Sequence, residues 1–313
     1  MIKKIYGQHI FYFTIFVITL SVITLLFGNK IGSLSELMVS FICLFLILSI
    51  GISHGAMDNY KANKLLEIYK KNNKSIFFII YITISALVIL MWSLYPSLSL
   101  VSFLIVASYH FGREDTAFLH DGNSKIDQLI YLVKGSLIVF SPLFFHFDET
   151  LKIFQSLFLS EKILIFLENE HWIINIFIGL SVLGYLFFIY KNKFKDYEIL
   201  FLDMLSILII NFIFDPLLAF TIYFCFLHSI RHIISISYEL EPSNFFEGLK
   251  SFFKKALPLT VITAVLYLVA AVFLTNSYGL NDVIIKVIFI GLASLTFPHI
   301  LLEYLIEINE KRN

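Results

Sequence analysis

Five histidines, His54, His110, His228, His232 and His299, stand at or near the ends of long apolar runs that otherwise avoid ionisable groups. An imidazole at bilayer depth is costly unless it faces a bundle interior and finds a ligand or partner there, so a set of them is a site expectation in itself. In His228-Ser229-Ile230-Arg231-His232 the imidazoles are four residues apart, which on an α-helix places them on one face, one turn apart, within reach of a single ion. Neutral imidazole suits iron, copper, zinc and nickel, and an all-imidazole site keeps coordination positions open. Ligating imidazoles usually donate their second nitrogen to a carboxylate or carbonyl. Asp58 follows His54, Glu114 follows His110 and Glu303 follows His299, each by four residues, which makes these carboxylates the expected outer partners. A lone membrane histidine is more often hydrogen-bonded to a neighbouring helix than metal-bound; the argument for metal is that five converge.

The elements that must position them are membrane helices. Apolar residues make up 58% and charged residues 15% of the 313 positions, and the mean hydropathy is +0.85, more apolar surface than a soluble domain can hide. At roughly 20 apolar residues per span, ten spans are expected, near 9–27, 34–53, 76–95, 98–112, 126–145, 172–190, 199–214, 217–238, 257–275 and 283–302. The fourth and seventh are short, and the stretch 150–168 reads as interfacial. The first run is too long for a signal-peptide core and reads as a retained span.

Lys and Arg test this count. With the N-terminus inside, 17 of the 23 fall in cytoplasmic segments, 3 in external ones, and Lys134, Arg231 and Lys286 lie within spans. The expectation is therefore an all-α polytopic bundle of about ten transmembrane helices, one domain over 1–313, in the inner membrane with both termini cytoplasmic. Spans 2, 4, 8 and 10 then run in the same direction and bring all five histidines toward the cytoplasmic face.

The remaining residues are read more plainly. His9, His120, His146 and His171 are expected to be interfacial or solvated. Arg231 is either an anion or substrate contact or a snorkelling cation. Cys43 and Cys225 lie inside apolar runs as packing residues. The net charge is zero, without blocks of one sign, which excludes an electrostatic nucleic-acid partner. The 35 Phe and 16 Tyr would suit a polyene channel or simple lipid packing. Tyr109 and Tyr238, each near a histidine in sequence, are candidate pocket residues.

Four motifs, Ser53-His54-Gly55-Ala56-Met57-Asp58, Tyr109-His110-Phe111-Gly112-Arg113-Glu114-Asp115, His228-Ser229-Ile230-Arg231-His232 and Phe297-Pro298-His299, occur in an order and spacing that resembles the Brp/Blh family of bacterial and archaeal β-carotene 15,15′-dioxygenases. The resemblance implies an integral membrane enzyme, dependent on Fe(2+), that splits lipid-dissolved β-carotene at its central double bond with O₂ and yields two retinals for a rhodopsin-type acceptor. It implies iron ligands at His54, His110, His228 and His232, with His299 as a pocket or outer residue. Ser53 stands where the family pattern has proline. Arg113-Glu114 stands where an acidic residue directly follows the glycine, which leaves the carboxylate partner open between Glu114 and Asp115. Other classes fit less well: a membrane di-iron desaturase or hydroxylase needs adjacent His-His pairs, which this chain lacks. A transition-metal transporter is the alternative, against which stand the gathering of the histidines at one face and the lack of spans visibly broken by Gly/Pro pairs.

Overall fold

The structure, a computed structural model, describes residues 2–27, 35–53, 55–69, 74–118, 124–191 and 196–310. Among them there is no strand. The helices are α1 (Ile2–Phe27), α2 (Glu36–Ser49), α3 (Asp58–Ile68), α4 (Lys74–Leu94), α5 (Pro96–Glu114), α6 (Lys125–Gly135), α7 (Leu137–Phe145), α8 (Phe147–Ser156), α9 (Glu161–Asn169), α10 (Trp172–Lys191), α11 (Tyr197–Ile213), α12 (Pro216–Ile222), α13 (Ile230–Leu240), α14 (Phe245–Leu274) and α15 (Leu280–Glu310). A π-helical stretch, Tyr223–Ser229, joins α12 to α13.

The starts of these helices follow from local chemistry. Ser124 and Asp127 form a reciprocal capping box at α6, Ser35 and Asn244 cap α2 and α14, and Pro96 and Pro216 occupy first-turn positions whose N–H would be unpaired anyway. Such a set of apolar helices makes an all-α polytopic membrane bundle. Eight helical segments among the described residues are long and apolar enough to cross a membrane. All ten expected spans are helical, but the fourth and seventh, α5 and α11, are not among the eight. The 17 residues of α11 reach about 25 Å at 1.5 Å each, short of a hydrocarbon core of roughly 30 Å, and α5 carries four serines besides His110, Arg113 and Glu114. The stretch 150–168 does not span, because α8 and α9, with 10 and 9 residues, are too short.

Burial divides the bundle into a centre and a coat. The segment Pro216–Leu240 has 78% of its most apolar stretch buried and Leu280–Asn309 has 61%, against 6% for α4 and 11% for α14, whose exposed Val261, Leu266 and Phe273 form a lipid-facing surface. The second span, expected over 34–53, is α-helical only to Ser49. After α2 the chain makes two 3₁₀ turns, Gly51–Ser53 and Gly55–Met57, before α3 begins. Non-helical backbone at membrane depth survives only where protein satisfies it; here Ser53 Oγ donates to the Ile50 carbonyl at 2.6 Å and Ser229 Oγ to the Gly51 carbonyl at 3.2 Å.

The crossing of α5 and α6 also matters for the site. A Cβ on Gly112 would run into the Tyr131 carbonyl, and one on Gly135 into that of Ser108, so the two backbones touch where neither residue has a side chain. This contact sets the position of the helix turn that carries His110.

Candidate metal centre

His110, His228, His232 and His299 come together in the interior, 6%, 1%, 5% and 3% exposed. The His110 ring lies 5.2 Å from that of His228 and 5.3 Å from that of His299, and His299 is 5.6 Å from His232, centroid to centroid. α5, the π stretch, α13 and α15 each supply one imidazole. His54 lies outside the described residues, between the two 3₁₀ turns in sequence.

Each of three imidazoles has a carboxylate at its Nδ1, and each carboxylate comes from another helix. Asp115 Oδ1 is 3.1 Å from His228 Nδ1, Asp58 Oδ1 is 2.7 Å from His299 Nδ1, and Glu114 Oε1 is 3.4 Å from His232 Nδ1. The expected carboxylates are therefore present, but their pairing differs from the same-helix scheme. Glu114 serves His232 rather than His110, and Asp58 serves His299. A carboxylate one turn along its own helix lies beside the imidazole, whereas an acceptor in the ring plane comes from a facing helix. Glu303 keeps a same-helix relation, 3.6 Å from His299 Nε2, and also lies 3.9 Å from His110 Nδ1; the expected pairing of Asp58 with His54 lies outside the described residues. With Glu114 on His232 and Asp115 on His228, both carboxylates left open by the second motif are used.

The outer contacts repeat a pattern. Tyr223 donates its hydroxyl to Asp115 Oδ2 at 2.7 Å, and Tyr81 to Asp58 Oδ2 at 2.9 Å. Behind Asp115, Arg231 makes a two-pronged pair with Asp203 at 2.5 and 2.8 Å and donates to the Asp115 carbonyl at 3.3 Å. Burial pushes the Asp115 carboxyl up, but the His228 hydrogen bond and the nearby Arg231 charge outweigh it and hold the group below the usual carboxylate range. Arg231 thus neither snorkels nor faces an open anion site.

Other residues fall elsewhere. Tyr109 donates to the Gln128 side chain on α6, and no contact of Tyr238 with the centre is seen. His9 faces inward, 2.9 Å from the Phe226 carbonyl, rather than toward solvent; His146 is half-buried, His171 is exposed, and His120 lies outside the described residues. Lys134 lies over the Tyr185 ring and Lys286 over those of Tyr278 and Phe158. Tyr81, Tyr223, Asp203 and Lys61 were not singled out from sequence. Asp203 had a signal, since a lone acid in one apolar run and a lone arginine in another are each other's natural partner.

Donor atoms of His110, His299 and Glu303 lie within 4.8 Å of one another, as do those of Glu114, His232 and Glu303. A carboxylate at Nδ1 fixes the tautomer with the lone pair on Nε2, the arrangement ligating histidines usually show. Imidazole nitrogens with one or two carboxylate oxygens are a donor set that fits divalent iron. A cavity of about 200 Å³ adjoins the centre, lined by Tyr6, Glu114, Asp115, His228, Arg231 and His232 among others.

Comparison with known proteins places the chain among relatives. A protein of an uncultured marine bacterium, 66A03, named Beta-carotene 15,15'-dioxygenase, is 26% identical over 270 residues, which cover 85% of this chain and 93% of that protein. No solved structure matches. The family description Beta-carotene 15,15'-dioxygenase matches residues 45–307, a range that holds every histidine and carboxylate of the centre. This chain therefore belongs to the β-carotene 15,15′-dioxygenase family.

Proposed function

We propose that this protein cleaves β-carotene at its central double bond with O₂, giving two molecules of retinal, at a ferrous ion held by His54, His110, His228 and His232 with His299 beside them. The carbon–carbon double bond breaks, two aldehyde carbonyls form, and one O₂ supplies both oxygens. The observation that carries the reading is the buried imidazole cluster, each of three rings held by a carboxylate, inside the stretch that matches the family. When bound, iron supplies the one-electron chemistry by which O₂ and a polyene react. Asp115, Asp58 and Glu114 hold their imidazoles in one tautomer and one orientation, and the packed apolar walls keep bulk water from the polyene.

The adjoining cavity of about 200 Å³ suits O₂ or water and is smaller than the roughly 300 Å³ of the smallest drug-sized pockets, so a C40 polyene does not fit in it. The substrate instead enters from the bilayer between helices, and its retinal products return there, available to a rhodopsin-type acceptor. The charge bias of the loops supports an inner-membrane orientation with both termini and the centre toward the cytoplasm.

Expression in a β-carotene-accumulating bacterium, with carotene and retinal measured by chromatography, tests the reading. About two retinals should appear per carotene lost, and none with His228→Ala. Unchanged carotene beside inserted, metal-loaded protein would overturn it. Metal uptake into proteoliposomes is the measurement that would favour metal transport instead.

A further inference from the structure

The centre has more negative charge than one divalent ion balances. Asp58, Glu114, Asp115 and Glu303 are four carboxylates around the imidazoles, while Arg231 is committed to Asp203 and Arg113 to Glu307. On the Glu303 side of the centre, the cation in contact with these groups among the described residues is Lys61 on α3. Its Nζ lies 2.6 Å from Glu303 Oε1 and 3.4 Å from His232 Nε2. These are two of the three residues in the group Glu114, His232 and Glu303, whose donor atoms converge closely enough to hold an ion. Glu303 also belongs to the neighbouring group with His110 and His299, so the two groups are adjacent positions sharing one carboxylate. Carboxylates that bridge two metal ions in helical bundles are placed in the same manner.

We infer that the Lys61 ammonium is a built-in cation that takes the place of a second metal ion between Glu303 and Glu114, beside the ion that His232 would help to hold, and that it restricts the centre to a single metal ion. With Lys61 in place, the carboxylate shared by the two groups, Glu303, has its counter-charge at 2.6 Å. Without Lys61 that carboxylate is left uncompensated, and buried uncompensated charge draws a counter-ion strongly. Lysine suits the task because its ammonium is a compact point charge that donates but cannot ligate.

This rests on the metal-centre reading above, and counting bound metal separates the two. The full chain is purified in detergent, loaded anaerobically with excess Fe(II) or Co(II), desalted, and its metal content measured by mass spectrometry. The wild type should hold one ion per chain, Lys61→Met about two, Lys61→Arg one, and Lys61→Met with Glu114→Gln one again. The paired ions of Lys61→Met should also couple magnetically when loaded with Mn(II), a signature absent from the wild type. Lys61→Gln serves if Lys61→Met does not remain monodisperse. A wild type that binds no metal sinks the metal-centre reading itself. A wild type with two ions, or Lys61→Met and Lys61→Gln each with one or none, overturns the inference about Lys61.

Discussion

Two His–Asp–Tyr chains flank His110, and they differ in what stands behind them. In the first, His228, Asp115 and Tyr223 are all nearly inaccessible and are backed by Arg231 and Asp203, 2% and 1% exposed. In the second, His299 and Asp58 are equally buried, but the tyrosine, Tyr81, comes from α4, the least buried of the spans, and the neighbouring Lys61–Glu303 pair keeps 17% and 19% of its side-chain surface exposed. The same triad thus hangs on a closed ionic frame on one side and on a partly open one on the other. A closed frame fixes an imidazole through groups that have no alternative partner; an open one leaves room for the ligand set and its counter-ions to adjust.

His228→Ala and His110→Ala should each abolish bound iron and retinal formation, whereas His299→Ala, which removes a residue beside the ligand set, should keep its metal. Metal lost in His299→Ala as well would make the two chains equivalent at the metal. The frame itself is tested next. Asp203→Ala leaves Arg231 buried without its carboxylate and should destabilise the fold by about 3–5 kcal/mol, whereas Glu303→Gln, on the open side, should lower thermal stability in detergent much less. Equal losses would remove the distinction between the sides.

Smaller effects sharpen the comparison. Asp115→Asn and Asp58→Asn remove the anionic acceptors at the Nδ1 atoms and should each weaken metal binding by roughly 10–100-fold, read by competition with a chelator; the larger loss is expected for Asp115. Tyr223→Phe and Tyr81→Phe each delete one hydrogen bond to a carboxylate one step further out, about 1 kcal/mol or roughly fivefold in metal affinity. A tyrosine variant with a larger effect than its aspartate neighbour would place the phenol at the substrate rather than behind the carboxylate.

The carboxylates were legible in the sequence as a set and illegible as pairs. Asp58, Glu114, Asp115 and Glu303 stand out because acids near the ends of apolar runs need a reason, but same-helix spacing assigns Glu114 to His110 where the structure gives it to His232, and it offers no hint that Asp58 also reaches His299 on another helix. The pair His228 and His232 was read on α-helical periodicity. A π stretch over Tyr223–Ser229 leads into that turn, and each of the two imidazoles takes its own carboxylate from the end of α5.

The sequence by itself determined that the chain is a helical membrane bundle, because apolar runs of spanning length have no other stable form in lipid. It also determined which imidazoles are dear enough at depth to require a purpose. Only the tertiary structure decided which carboxylate orients which histidine, that Arg231 closes on Asp203 and that Lys61 stands among the donors. Those relations depend on the rotation and crossing of helices far apart in sequence, fixed by contacts such as Gly112 against the α6 backbone, and helical periodicity along one segment carries no information about the angle at which it meets another.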